Sequence, residues 1–411
     1  MLEQLDRLMQ QRGLAWIIAL GAPAESADVY YLLQGARVGH ALVLKRQGEP
    51  PLAIVHPMER EEARRAGLRW ATPAEYGAAA IQALGLPAHQ TAARLMLAVL
   101  ERHQVRGPVS FAGHGPVAAT FARLRAVLAE RPELEHVLEE PPSVLQRARM
   151  VKSEEEVARI RAVGRRTEEV VRLVVRMLAS CERRDGVLVR PGGEPLKVGH
   201  VKEYIAVELI RRGLDDHGQT IVAPGREGGF PHSRGVESEP VPADTPIVLD
   251  IFPQERGGGY YFDMTRTLWF GEPGERARAC LAAVEHAFAA GLGAIRPGVL
   301  AAEPDEAASA VLERHGHPTR RQQPDTVTGY MHSLGHGVGL ELHEHPMLSA
   351  RPGNTDRLEP GAVFTVEPGL YYPEEGFGIR VEDTLWLRPD GELENLTTLP
   401  HEPEALLAEV R

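Results

Sequence analysis

The stretch PIVLDIFPQERGGGYYFDMTRTLWF, residues 246–270, decides the fold. Two β-rich runs flank a glycine-rich turn, the pattern of an antiparallel hairpin. Each run carries one aspartate, Asp250 and Asp263, with an even number of residues between them. A regular hairpin centred between Arg256 and Gly257 would set the two carboxylates opposite one another on one face, about 4.5–5.5 Å apart. Further along, FTVEPG (364–369) and IRVED (379–383) repeat the arrangement with Glu367 and Glu382. Their midpoint falls between Glu374 and Glu375, inside the turn-like YPEEGFG (372–378). Two hairpins thus each present a pair of acids. Without a counter-charge each pair would repel and raise its own pKa, and a dication removes that penalty.

His336 supplies a nitrogen to the same set, in HSLGHGVGL (332–340), where small neighbours let the backbone pack close. Taken singly, an aspartate beside a glycine turn is ordinarily a surface residue, and Gly-His-Gly or VEPG is ordinarily a loop. Their ordered co-occurrence is what carries weight. Four carboxylates and one imidazole make a hard, oxygen-dominated environment, suited to manganese, cobalt or zinc in a two-metal cluster rather than to a thiolate-rich structural zinc. The expectation is a metal-dependent hydrolase with Asp250, Asp263, His336, Glu367 and Glu382 as ligands.

The composition agrees with such a protein. A chain of 411 residues, 43% hydrophobic and 25% charged, has room for two domains and a sizeable core. A net charge of −11 argues against a nucleic-acid partner. Cys181 and Cys280 cannot form a disulfide framework. The start MLEQLDRLMQQRG is polar, and no run approaches the ~20 apolar residues of a membrane span. These features predict a cytoplasmic protein without membrane attachment.

Along the chain, residues 1–145 read as an α/β unit. Helices are expected at 2–11, 88–105 and 117–130, and strands at 15–20, 29–35, 40–46, 50–57 and 108–113, in a mixed or mostly parallel sheet. Pro141 and Pro142 close that unit. Residues 146–411 form the second, opening on a long helix announced by the Ser153–Glu156 capping box. A loop at 181–199 and helices at 201–212, 274–293 and 303–315 are expected, with strands from Thr220 and a strand-rich tail over 361–396. The overall class is α+β.

These five motifs resemble those of the pita-bread metallopeptidases, which include aminopeptidase P, prolidase and methionine aminopeptidase. The first unit is similar to the creatinase/prolidase-type amino-terminal domain, so the resemblance covers most of the chain and points to the proline-specific branch. It implies a pita-bread catalytic domain over 146–411 and two divalent ions, manganese first, with zinc or cobalt as alternatives. Asp250 would chelate one ion, Asp263 and Glu382 would bridge both, and His336 with Glu367 would complete the other. It further implies a bridging water acidified to hydroxide, with Glu367 as general base. His343 would stabilise the tetrahedral intermediate and His232 would lie near the scissile nitrogen. His332 would belong to the substrate pocket, and Arg380 would orient the carboxylates. Tyr260, Tyr261 or Phe230 are candidates to line a proline pocket. The implied activity is exopeptidase cleavage of Xaa-Pro bonds in short proline-containing peptides by a homodimer. The alternatives are a same-fold peptidase with non-proline or C-terminal specificity, and a non-peptidase relative or binding scaffold. One departure stands out: Phe252 and Pro253 follow Asp250 where the family has a glycine at the first of these positions, and the loop is two residues longer. The parity survives, but Pro253 removes a ladder donor and could force a bulge.

Overall fold

The computed structural model describes residues 2–410. Two compact units are present: one holds the chain up to Arg149 together with the turn Gly257–Gly259, and the other holds the remainder from Met150 onward. In the first, β1 (Trp16–Gly21), β2 (Ala41–Arg46), β3 (Leu52–Val55), β4 (Arg69–Ala71), β5 (Gly107–Gly113) and β6 (Leu134–His136) form one sheet, in the order β4-β3-β2-β1-β5-β6. β2 runs antiparallel to both β1 and β3, and the other neighbours are parallel, so the sheet is mixed. Period-two alternation sends Trp16, Ile18, Leu42, Leu44 and Ile54 into one cluster with Met96, Val99 and Leu100 of the helix Ala88–Arg102.

One expected strand is a helix instead. Residues 29–35 are rich in aromatic and β-branched side chains, yet Ala27–Leu32 is helical. The Ser26 hydroxyl accepts the Val29 N–H (3.3 Å), and Asp28 sits in the first turn where its charge favours the helix dipole. The cap overrides the strand-like composition.

The second unit opens as the capping box predicts. The Ser153 hydroxyl accepts the Glu156 N–H (3.3 Å) and the Glu156 carboxylate accepts the Ser153 N–H (2.8 Å), starting the helix Glu154–Ala179. Its stripe of Val157, Ile160, Val163, Val170, Val174 and Leu178 is buried. The segment expected as a loop contains a small hairpin, Glu182–Arg184 with Val187–Val189, and the tail ends in a further helix, Pro403–Val410.

Three antiparallel sheets carry the site. Ile221–Pro224, Ile247–Ile251 and Met264–Leu268 form the first, and Gly369–Tyr372 pairs with Phe377–Arg380 in the second. The third has five strands, in the order Glu344–Leu348, Gly335–Gly337, Val363–Val366, Asp383–Leu387 and Leu393–Asn395. Helices Glu275–Ala294 and Ala302–Arg314 pack Val284, Phe288 and Leu312 against Phe364, Val366 and Leu385 of that third sheet in one core. No helix among the described residues is long and apolar enough to cross a membrane.

The two acid-bearing hairpins differ in register. In the second, Val366 pairs with Asp383 and Gly369 with Arg380, and the same register places Glu367 opposite Glu382, as expected. In the first, Asp250 pairs with Thr265 rather than with Asp263. The hydrogen bond from Phe262 N–H to the Pro253 carbonyl (3.1 Å) and the bridge between Gln254 and Tyr261 continue that register without a bulge. The turn is therefore centred between Gly257 and Gly258. Gly257, Gly258 and Gly259 all have positive φ (86°, 96° and 142°), conformations open to glycine and strained for other residues. The aspartates remain on one face as diagonal neighbours. Pro253 takes part through its carbonyl, so its missing N–H does not break the ladder.

Candidate metal centre

A cavity of about 500 Å³ is lined by all five expected ligands, Asp250, Asp263, His336, Glu367 and Glu382. His232, His332, His343 and Arg380 line it as well, so the five expected ligands share one space with these four residues. The guess about aromatics does not hold. Tyr260, Tyr261 and Phe230 are not among its lining residues; Tyr260 is buried and donates its hydroxyl to Glu156 (2.6 Å), and Phe230 lies on the surface under Arg226. The apolar wall comes instead from Ile221, Phe252, Leu342 and Met347.

His336 lies on a strand whose flanking residues have no side chains for a steric reason. A Cβ on Gly335 would come within 2.1 Å of the Thr365 carbonyl oxygen, and one on Gly337 within 2.3 Å of the His345 carbonyl oxygen. The imidazole Nδ1 faces the Gly337 carbonyl (3.2 Å), which fixes the proton there and leaves Nε2 as a lone-pair donor. That Nε2 lies 3.3 Å from Glu367 Oε1 and 3.7 Å from Asp263 Oδ2. Asp263, His336 and Glu382 each offer a ligand atom within 4.8 Å of one another, and all three residues are buried.

The electrostatics describe a site built around missing positive charge. Burial, followed by the charges of Glu382, Asp250 and Glu367, raises the Asp263 carboxyl well above its usual range. Glu382 is raised likewise, by burial and then by Glu367 and Asp250. Burial pushes Glu367 up to about 8, against the opposing pull of Arg380. The imidazoles shift the other way: burial lowers His336 and His343 to about 4 and His332 to about 3. Asp250 Oδ1, Asp263 Oδ1 and Glu382 Oε1 are buried without a hydrogen-bond partner among the described residues. Orphaned carboxylate oxygens beside an imidazole lone pair fit divalent cations, which would supply the missing partners. The triad Asp263, His336 and Glu382 is a metal-binding arrangement for one divalent ion.

Behind the ligands runs a hydrogen-bonded frame that sequence reading only partly anticipated. The Arg380 guanidinium donates to Asp250 Oδ2 (2.6 Å), to the Thr265 hydroxyl (3.1 Å) and to the Tyr371 hydroxyl (2.9 Å). The Thr265 hydroxyl in turn donates to Glu382 Oε2 (2.7 Å). Arg380 therefore contacts Asp250 directly and reaches Glu382 through Thr265. Tyr371, already accepting from Arg380, donates to His332 Nε2 (2.7 Å), while His332 Nδ1 donates to the Ser333 carbonyl (2.8 Å). Both ring nitrogens of His332 are engaged, which leaves its ring face to the cavity. Thr265 and Tyr371 went unnoticed in the sequence. The available signal was period two: Thr265 shares a face with Asp263.

Metallopeptidase family M24 matches residues 158–389, more than half of the chain. A probable dipeptidase PepE of Mycobacterium tuberculosis is 33% identical over 259 residues, covering 63% of this chain and 61% of the relative. An Xaa-Pro dipeptidase of Pyrococcus furiosus is 35% identical over 173 residues, 42% of this chain and 45% of that one. The chain thus spans about three fifths of the length of the mycobacterial relatives it matches. Among solved structures, an X-Pro aminopeptidase from Thermotoga maritima superposes with a TM-score of 0.73 at 22% identity, over 96% of this chain and 99% of that one. The chain belongs to metallopeptidase family M24 and has the pita-bread fold of its solved structural relatives.

Proposed function

We propose that the protein is a dinuclear metal-dependent exopeptidase that hydrolyses Xaa-Pro peptide bonds. The observation that carries this reading is the convergence of five ligand-type side chains on one cavity, with three buried carboxylate oxygens left unpartnered. Asp250, Asp263, His336, Glu367 and Glu382 would hold the two ions, with manganese the first expectation and zinc or cobalt the alternatives. When bound, the ions supply Lewis acidity toward the scissile carbonyl and toward water.

The chain's own groups do the rest. Arg380 and Thr265 fix the carboxylates, so ligand geometry costs no reorganisation during turnover. Glu367 takes the proton of the attacking water and returns it to the leaving nitrogen. His343 packs edge-on against His336, with ring centroids 4.1 Å apart, and reaches the cavity as a donor to charge developing on the substrate oxygen. His232, on the exposed loop at the rim, faces the leaving nitrogen. An Xaa-Pro bond has no N–H, and none of these roles requires one. Glu367→Ala should abolish Ala-Pro hydrolysis, by about 10³-fold or more, while the far-UV circular dichroism stays that of the parent; retained turnover would sink the proposal. Comparing Ala-Pro with Ala-Ala tests the proline preference.

The cavity wall favours dipeptides within this reading. Arg351 lines the cavity with no ion-pair partner among the described residues, whereas Arg357 is engaged with the Gly298 carbonyl (2.7 Å). An unpaired guanidinium suits a free carboxylate. Arg351→Ala should raise KM for Ala-Pro about tenfold or more with kcat little changed. An unchanged KM would remove the dipeptide preference and leave Ala-Pro-Ala as the substrate to assay.

A further inference from the structure

The first unit contains a second cavity, of about 270 Å³, formed entirely by its own residues. Its walls are apolar: Leu42, Ile54 and Val55 come from the sheet, and Leu95 and Met96 from the helix Ala88–Arg102. Arg123, on the helix Val117–Glu130, stands at its boundary with the imidazoles of His40 and His56. Arg123 is half-buried, makes no ion pair among the described residues, and has its Nε buried without a hydrogen-bond partner. Burial lowers its pKa, and no neighbouring carboxylate opposes that shift. Burial first and the Arg123 charge next lower His40, which shows how near the two groups lie. The nearby Glu59 is already engaged, accepting the Gly39 N–H (2.6 Å).

An apolar chamber with one unpartnered guanidinium has a defined complement. We infer that this cavity is a binding site for a small apolar carboxylate, its acyl or aryl body among Leu42, Ile54 and Met96 and its carboxylate paired with Arg123. The volume lies just below the ~300–1,000 Å³ range of drug-sized pockets, which restricts the ligand to a medium-chain acid or its aromatic equivalent. A forked guanidinium pairs with a planar carboxylate through two parallel hydrogen bonds, so the acid should be preferred over a neutral molecule of the same shape. The site shares no lining residue with the metal centre, and the inference does not rest on the proposed peptidase activity.

The test is calorimetric titration of the full-length protein with octanoate and with octanamide. Octanoate should bind saturably with one site per chain, at least about tenfold more tightly than octanamide. Arg123→Gln should erase that preference, and Ala92→Phe, which fills the chamber without touching its charge, should abolish binding of both. Thermal melts identify a variant that has failed to fold, and in that case the other variant decides. Arg351→Ala should bind octanoate like the parent. Equal binding of acid and amide, absence of saturable binding, parent-like octanoate binding in folded Arg123→Gln or Ala92→Phe, or its loss in Arg351→Ala would each overturn the inference.

Discussion

At the scale of single residues, charge placed out of water decides behaviour, and Asp305 shows it away from the metal centre. Its carboxylate accepts the Tyr330 hydroxyl (2.9 Å) and the Ala350 N–H (2.8 Å), yet burial raises its pKa to about 6. An unfolded aspartate titrates near ~3.9. Between those values the native state holds a proton that the unfolded chain has lost. The stabilisation is therefore complete below about pH 4 and fades as the pH rises through 6, by about 2–3 kcal/mol in total. Asp305→Asn keeps the shape, accepts the Ala350 N–H and donates to Tyr330. Its urea midpoint should consequently fall less than the parent's between pH 5 and pH 8; parallel pH profiles would show that Asp305 does not titrate in this way.

At the scale of elements, the backbone positions the ligands, and this is where the sequence was both most and least legible. The face of each hairpin followed from parity alone, because a strand's side chains alternate strictly. The register of the Glu367–Glu382 hairpin also followed, since Pro373 and Gly376 leave its turn one natural centre. The Asp250–Asp263 hairpin was displaced by one pair because three consecutive glycines let the turn settle further along, and composition does not choose among them. The helix Ala27–Leu32 was misread because composition was weighed above the Ser26 cap. Thr265 and Tyr371 were overlooked for another reason: Thr265 bonds Glu382 and Tyr371 bonds His332, partners that only the folded chain brings together. The close backbone approach at His336 gives a test at this scale. Gly335→Ala would press a methyl group against the Thr365 carbonyl and move the strand that carries the imidazole. A loss of about 1–3 kcal/mol in unfolding free energy, with a larger loss of metal affinity, is expected; parent-like stability and affinity would show that the strand has slack.

For the whole molecule, stability and metal should be linked. Several buried carboxyls are raised together by burial and by one another, so the metal-free protein folds against its own charge. Chelation with EDTA should lower Tm, and a divalent ion at about a hundred times its Kd should restore about 2.7 kcal/mol per ion, worth roughly 5–10 °C for a unit of this size. An unchanged melting curve would mean that the cluster folds as well without metal. The most direct measurement of the central claim is anomalous diffraction at the manganese edge from crystals of the manganese-loaded protein. Two peaks enclosed by Asp250, Asp263, His336, Glu367 and Glu382 are predicted. No peak in that cavity, or density bound elsewhere while these five side chains stay metal-free, would contradict the account.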